Sequence, residues 1–123
     1  METTNNVQIA RTQDSDIVDF DWGQLTWFAS GPLGNSKEMT VGRCIIKPGC
    51  SNPAHSHSNC EEVLTVIEGE ISHSIGPDQA VEMSKGDTIS VPRDIPHNAT
   101  NIGDSDAVLF ICFSSASRQT EGE

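Results

Sequence analysis

The feature that most constrains the fold is a regular alternation of short apolar segments and turn residues. Segments of four to eight residues, rich in β-branched and aromatic side chains, are separated by turns that contain Gly, Pro or Asp. No segment keeps a helical apolar period over about ten residues. The pattern predicts an all-β sandwich or barrel. The strand candidates are Leu25–Phe28, Met39–Ile46, Val63–Ile67, Ile71–Ile75, Thr88–Val91 and Ala107–Phe113.

Length and charge limit the organisation and the partners. The 123 residues fit one domain, and polar composition predicts flexible segments at 1–16 and 115–123 around a domain spanning 17–114. The 7 basic and 18 acidic residues give a formal charge of −11. Such a field repels nucleic acid and anionic membrane surfaces, so we expect neither as a partner.

The cysteines and the N-terminus bear on the compartment. The four cysteines, at positions 44, 50, 60 and 112, match neither a Cys-x-x-Cys zinc site nor a disulfide framework. The chain begins without the pattern of a signal peptide, and no apolar run reaches the roughly 18 residues of a membrane span. We therefore expect a cytoplasmic protein with free thiols. Cys60 is read as a small buried hydrophobe.

Two strand candidates bear on the oligomeric state. Ala107–Phe113 is apolar on both alternating faces, and 62–67 is nearly so. Strands of this kind are covered on both faces. A lone small barrel leaves its outside in water, so a second copy of the chain is expected to cover it. The predicted state is a homodimer.

Three histidines and one glutamate form the pattern that carries chemistry. His55 and His57 are alternate residues, so in extended backbone they share a face with Cα atoms about 6.6 Å apart, close enough to reach one ion. Glu62 lies on the apolar face of its strand, where a carboxylate is costly unless it is paired or bound to a metal. Its neighbour Glu61 is expected to point the opposite way. His97 follows a Pro-Arg-Asp-Ile-Pro turn.

The spacing Gly49-x5-His55-x-His57-x4-Glu62-x6-Gly69 resembles the first motif of the cupin superfamily. The spacing Gly86-x5-Pro92-x-Asp94-x2-His97-x3-Asn101 resembles the second, with Asp94 where the family usually has Gly. Asp is among the better non-Gly residues for such a turn. The resemblance implies a single-domain cupin-type β-barrel, also called a double-stranded β-helix or jelly roll. It also implies one metal ion held by His55, His57, Glu62 and His97.

The resemblance bears on chemistry as well. Three neutral imidazoles and one carboxylate suit one divalent transition metal ion, which could be Fe, Mn, Ni, Co, Cu or Zn. Two adjacent octahedral positions then stay open. One carboxylate against a doubly charged ion leaves a net charge of about +1, which favours a small anionic or enolisable metabolite.

Three functions are compatible with this site. A metal-dependent dioxygenase is preferred by family analogy, and an isomerase, epimerase or lyase acting on a sugar or sugar acid is the main alternative. A non-catalytic small-molecule-binding cupin is the third. A complete ligand set with open positions favours an enzyme. Acid–base candidates are Glu62 and His73, although an outward or hydrogen-bonded role is the favoured reading of His73. Trp22 and Trp27 could roof the pocket or pack at an interface.

Overall fold

A computed structural model describes residues 1–122 of the chain, and apart from one 3-10 turn at Thr12–Asp14 all regular structure in this part is β-strand. None of the described residues forms a helix with the length and hydropathy that a membrane crossing needs. The all-β prediction is confirmed. The strands are β1 (Glu2–Thr4), β2 (Val7–Ile9), β3 (Asp16–Phe20), β4 (Gly23–Ala29), β5 (Thr40–Ile46), β6 (His55–Ser56), β7 (Glu62–Glu68), β8 (Glu70–Ile75), β9 (Gln79–Ser84), β10 (Thr88–Val91), β11 (Ala99–Asn101), β12 (Ala107–Phe113) and β13 (Glu121–Gly122).

Two antiparallel sheets form the body of the molecule. The larger has the order β10-β7-β12-β5-β4-β3, and the smaller has the order β11-β8-β9. Burial alternates residue by residue along β5, β7 and β12, as expected for strands with one face on a core. The core lies between the sheets, because Ile46 and Leu109 of the larger sheet and Ile71 of the smaller are at most 1% exposed and share one cluster.

Two turns depend on left-handed backbone. Gly69 joins β7 to β8 at φ +88°, and a Cβ there would lie 3.0 Å from the Cα of Ala107. Asp94 has φ 68°, and its N–H donates to the carbonyl of His57 at 2.9 Å. Asp94 therefore makes the left-handed turn for which the motif usually carries Gly, and the turn is tied to His57, the residue that follows β6.

Both ends of the described part of the chain, residues 1–122, are paired in short strands. Residues 2–9 form the β1–β2 hairpin, with Asn5 and Asn6 in left-handed backbone. Residues 115–122, which we call the C-terminal strap, cross the domain and end in β13, which pairs with β6. The flexibility expected from polar composition stays a prediction. The position of the strap places it directly beside His55 and His57.

Candidate metal centre

The structure brings together the four side chains that the motifs single out. One ligand atom from each of His55, His57, Glu62 and His97 lies within 4.8 Å of the others. The centroids of the three imidazole rings are 4.5–5.4 Å apart. Three of the residues are buried and His55 is half-buried. Such a group is the size of a single-ion site.

Backbone pairing explains how residues distant in sequence meet. The N–H of His55 donates to the carbonyl of His97 at 3.0 Å, and the N–H of His97 donates back at 2.8 Å. Glu62 begins β7, in which Glu62, Leu64 and Val66 are all buried. Glu61 is exposed. The predicted register of this strand is therefore confirmed, with the carboxylate of Glu62 facing inward.

Backbone carbonyls set the tautomer of each ligating imidazole. In all three residues Nδ1 lies within hydrogen-bond distance of a main-chain oxygen, which can only accept. Each Nδ1 therefore carries its proton and donates it, and each Nε2 is turned toward the group. The acceptors are the carbonyls of Pro53 (2.7 Å, from His55), Gln119 (2.9 Å, from His57) and Ile95 (2.9 Å, from His97).

The surroundings of the Nε2 atoms show whether a metal ion fits among these residues. Nε2 of His97 lies 2.9 Å from Oε1 of Glu62 in a hydrogen bond. Nε2 of His57 lies 3.2 Å from the same oxygen without the alignment of a hydrogen bond, and it is buried with no hydrogen-bond partner among the described residues. A buried ring nitrogen of this kind is costly unless a ligand meets it. Three nitrogens and one carboxylate around one point fit a divalent transition metal ion.

The protonation of the group follows from the same contacts. Burial acts to raise the pKa of Glu62, but the close contact with His57, the hydrogen bond from His97 and the charge of both rings outweigh it and lower the pKa to about 2. Burial acts to lower the pKa of His97, but the hydrogen bond and charge of Glu62 raise it overall. Without metal, these shifts favour an ion pair between the protonated imidazole of His97 and the ionised carboxylate of Glu62, in which a bound cation would replace the proton.

A cavity of about 360 Å³ opens onto the four ligands. His73 lines it and is 1% exposed. Its ring stacks on that of His97 with centroids 5.5 Å apart, and its Nδ1 donates to the carbonyl of Ser74 at 2.9 Å. His73 is therefore hydrogen-bonded, as its favoured reading held, but it faces inward. Burial and the neighbouring His97 lower its pKa.

The sequence left the roles of other cavity residues open or did not point to them. Trp22 and Trp27 both line the cavity, as does Cys44, whose pKa burial and the charge of Glu62 raise to about 12. Cys60 is fully buried, in agreement with its reading as a small hydrophobe. Arg118 lines the cavity too, and sequence reasoning missed it because it lies in a polar terminal segment outside both motifs.

The fold and the site together define a small all-β protein with a His/Glu group inside its domain. The family model for the cupin domain matches residues 42–113, which is more than half of the chain and includes all four grouped residues. The chain belongs to the cupin family. The resemblance carried by the two motifs is thereby confirmed.

Three known proteins show what the chain is similar to in sequence or in fold. A germin-like protein of Morus alba is 31% identical over 88 residues, 68% of this chain and 42% of that protein. Oxalate decarboxylase of Bacillus subtilis, a protein with Mn(II) centres, superposes with a TM-score of 0.83 at 19% identity, covering 99% of this chain and 35% of that one. An oxalate oxidase in complex with glycolate gives a TM-score of 0.72 at 23% identity, covering 81% of this chain and 54% of that one. The chain thus spans about half or less of these proteins.

Proposed function

We propose that the protein is a metal-dependent enzyme acting on a small anionic or enolisable metabolite. The observation that carries the proposal is the buried Nε2 of His57, which has no hydrogen-bond partner among the described residues and is aimed at Glu62 within 4.8 Å of the other candidate ligands. A divalent transition metal bound there supplies Lewis acidity and, if it is redox-active, access to dioxygen chemistry.

The residues around the group have separable tasks. His55, His57, Glu62 and His97 would hold the ion, and the carbonyls that fix each Nδ1 would present the Nε2 atoms of the three histidines to it. Because Nδ1 of His73 donates to the chain, its Nε2 is the unprotonated nitrogen and can accept a proton in the cavity. The largely apolar wall limits water around the reacting group.

A dioxygenase is the first candidate reaction. It is supported by the redox-capable ligand set and by an oxalate oxidase among the structures with the same fold. A metal-dependent isomerase, epimerase or lyase is the second candidate, and the inward-facing His73 favours it because such reactions need a base near an enolisable carbon. Manganese and iron are the first ions to test, since the similar decarboxylase has Mn(II) centres.

The test is oxygen uptake by protein loaded with one metal at a time. Iron- or manganese-loaded protein should consume oxygen with a 2-hydroxy or 2-keto acid, whereas zinc-loaded protein should not. A His97→Ala variant is the matched control, because it keeps the cavity and removes one ligand. Turnover of the acid without oxygen would overturn the dioxygenase and support the isomerase or lyase. Stoichiometric metal without any turnover would support the non-catalytic binding protein.

The proposal includes a cytoplasmic homodimer. Phe110 lies in the middle of the larger sheet, points outward from β12 and is 46% exposed, while Leu109 and Ile111 on either side are buried. The ring of Phe28 packs edge to face against the ring of Phe110. All four cysteines lie among the described residues and are free, as in a reducing compartment. A monomer mass at micromolar concentration, or a Phe110→Glu variant with unchanged dimer mass, would contradict the dimer.

A further inference from the structure

Arg118 places a cation in the wall of the cavity. Its guanidinium carbon lies 4.2 Å from the ring centroid of Trp27 and 5.2 Å from that of Phe113. The ring of Phe113 in turn lies 4.9 Å from the ring of His57. One aromatic ring therefore contacts both the arginine and a candidate metal ligand, and all four residues line the same cavity.

The guanidinium keeps most of its hydrogen-bonding capacity. An arginine has five N–H donors. The described residues provide one acceptor for Arg118, the hydroxyl of Thr120, to which Nη1 donates at 2.6 Å. Within residues 1–122 no carboxylate forms an ion pair with Arg118. A half-buried cation with spare donors beside an apolar wall is stabilised when an anion binds it.

The backbone on both sides of Arg118 is anchored. Asn59 holds the strap twice, since its Nδ2 donates to the carbonyl of Ser117 at 3.0 Å and its Oδ1 accepts from the N–H of Gln119 at 2.9 Å. The stacking partner is fixed as well, because a Cβ at Gly42 would lie 2.5 Å from Cε3 of Trp27. An arginine held in this way is pre-organised for a ligand, unlike a solvated surface side chain.

We propose that Arg118 binds a carboxylate of the substrate, and that the substrate class is small dicarboxylic acids. One end of the acid, a 2-hydroxy- or 2-keto-carboxylate, would chelate at the His/Glu group, and the second carboxylate would pair with the guanidinium. The metal-chelating half of this inference rests on the proposed function. Arginine suits this role because its planar fork matches a carboxylate with two parallel hydrogen bonds.

The test compares acids that differ only at the far end. Malate and 2-hydroxybutyrate share the chelating end, and 2-hydroxyglutarate and 2-hydroxyvalerate repeat the comparison with one more methylene. Binding to zinc-loaded protein is measured by isothermal titration calorimetry, so that no turnover is needed. At least one diacid should bind roughly tenfold to a hundredfold more tightly than its monoacid partner, the range for a charge-assisted hydrogen bond. In Arg118→Gln this preference should fall to about one.

Two controls make the outcome specific. Arg11→Gln makes the same charge change at an exposed arginine bonded to Glu2, and it should keep the preference for the diacid. Unfolding midpoints and near-ultraviolet circular dichroism establish that Arg118→Gln is folded. A preference that persists in Arg118→Gln, or that is absent from the wild type, would overturn the proposal.

A metal-free arm separates this inference from the proposed function. In protein stripped of metal with EDTA and then freed of EDTA by desalting, malonate should still bind at Arg118 and change the tryptophan fluorescence, and Arg118→Gln should abolish the change. If the protein binds no zinc but gives this malonate response, the metal site is refuted and the arginine site stands. Stoichiometric zinc without a malonate response would refute the arginine site and leave the metal site intact.

Discussion

Replacing Glu62 by Gln tests the charge arrangement of the metal-free centre. The folded protein lowers the pKa of Glu62 from 4.5 to about 2, so this group contributes stability above pH 4.5 that is lost as the pH falls toward 2. The difference corresponds to at most about 3 kcal/mol. The raised pKa of His97 acts at higher pH. The contribution of His97 to stability is complete below pH 6.5 and is lost as the pH rises through its pKa in the folded protein.

The assay is urea unfolding of EDTA-treated protein at a series of pH values from about 3 to 9. Subtracting the free energy of unfolding of Glu62→Gln from that of the wild type at each pH cancels the contributions of other titrating groups. This difference should be largest between about pH 4.5 and 6.5 and should decline on both sides. Glu61→Gln makes the same charge change on the exposed face and is the matched control. A flat curve for Glu62→Gln would refute the ion pair between His97 and Glu62.

Three further predictions concern the scaffold and the ion. Asn101→Ala should lower the free energy of unfolding by about 3 kcal/mol, because it leaves the buried carbonyl of Ile46 and other backbone groups without partners. Gly69→Ala should lower the free energy of unfolding by about 2 kcal/mol, through backbone strain and contact with Ala107. Gly76→Ala should lower it less, because an added Cβ there meets no atom within 4 Å. Chemical denaturation measures both variants. Bound metal should be released as the pH falls toward about 5, where the imidazoles take up protons, and equilibrium dialysis measures this loss.

The parts of the fold that sequence could predict are those with a period-two pattern. β5, β7 and β12 alternate between the core and the outside, and all were predicted within one or two residues of their bounds. β9 was missed because five of its six residues are exposed, so no apolar alternation marks it. β6 and β13 were missed because each is only two residues long, which is too short for an alternating pattern to mark it.

The candidate site divides in a similar way. His55, His57, Glu62 and His97 could be placed from spacing, because a ligand group needs particular residue types at particular intervals. Arg118 could not, since cation–π packing and main-chain hydrogen bonds leave no recognisable spacing. The tautomer of His57 was equally inaccessible, because its acceptor is a carbonyl 62 residues further along the chain.

The most direct test of the central claim is the metal content of the purified protein and of His97→Ala, measured by elemental analysis after equilibration of both with the same buffered free concentration of manganese or zinc. The wild type should hold about one ion per chain. Loss of one imidazole should weaken binding at least about tenfold and leave the fold intact by circular dichroism. Metal content that is unchanged in His97→Ala, or a wild type that binds no ion, would contradict the assignment of His55, His57, Glu62 and His97 as a metal centre.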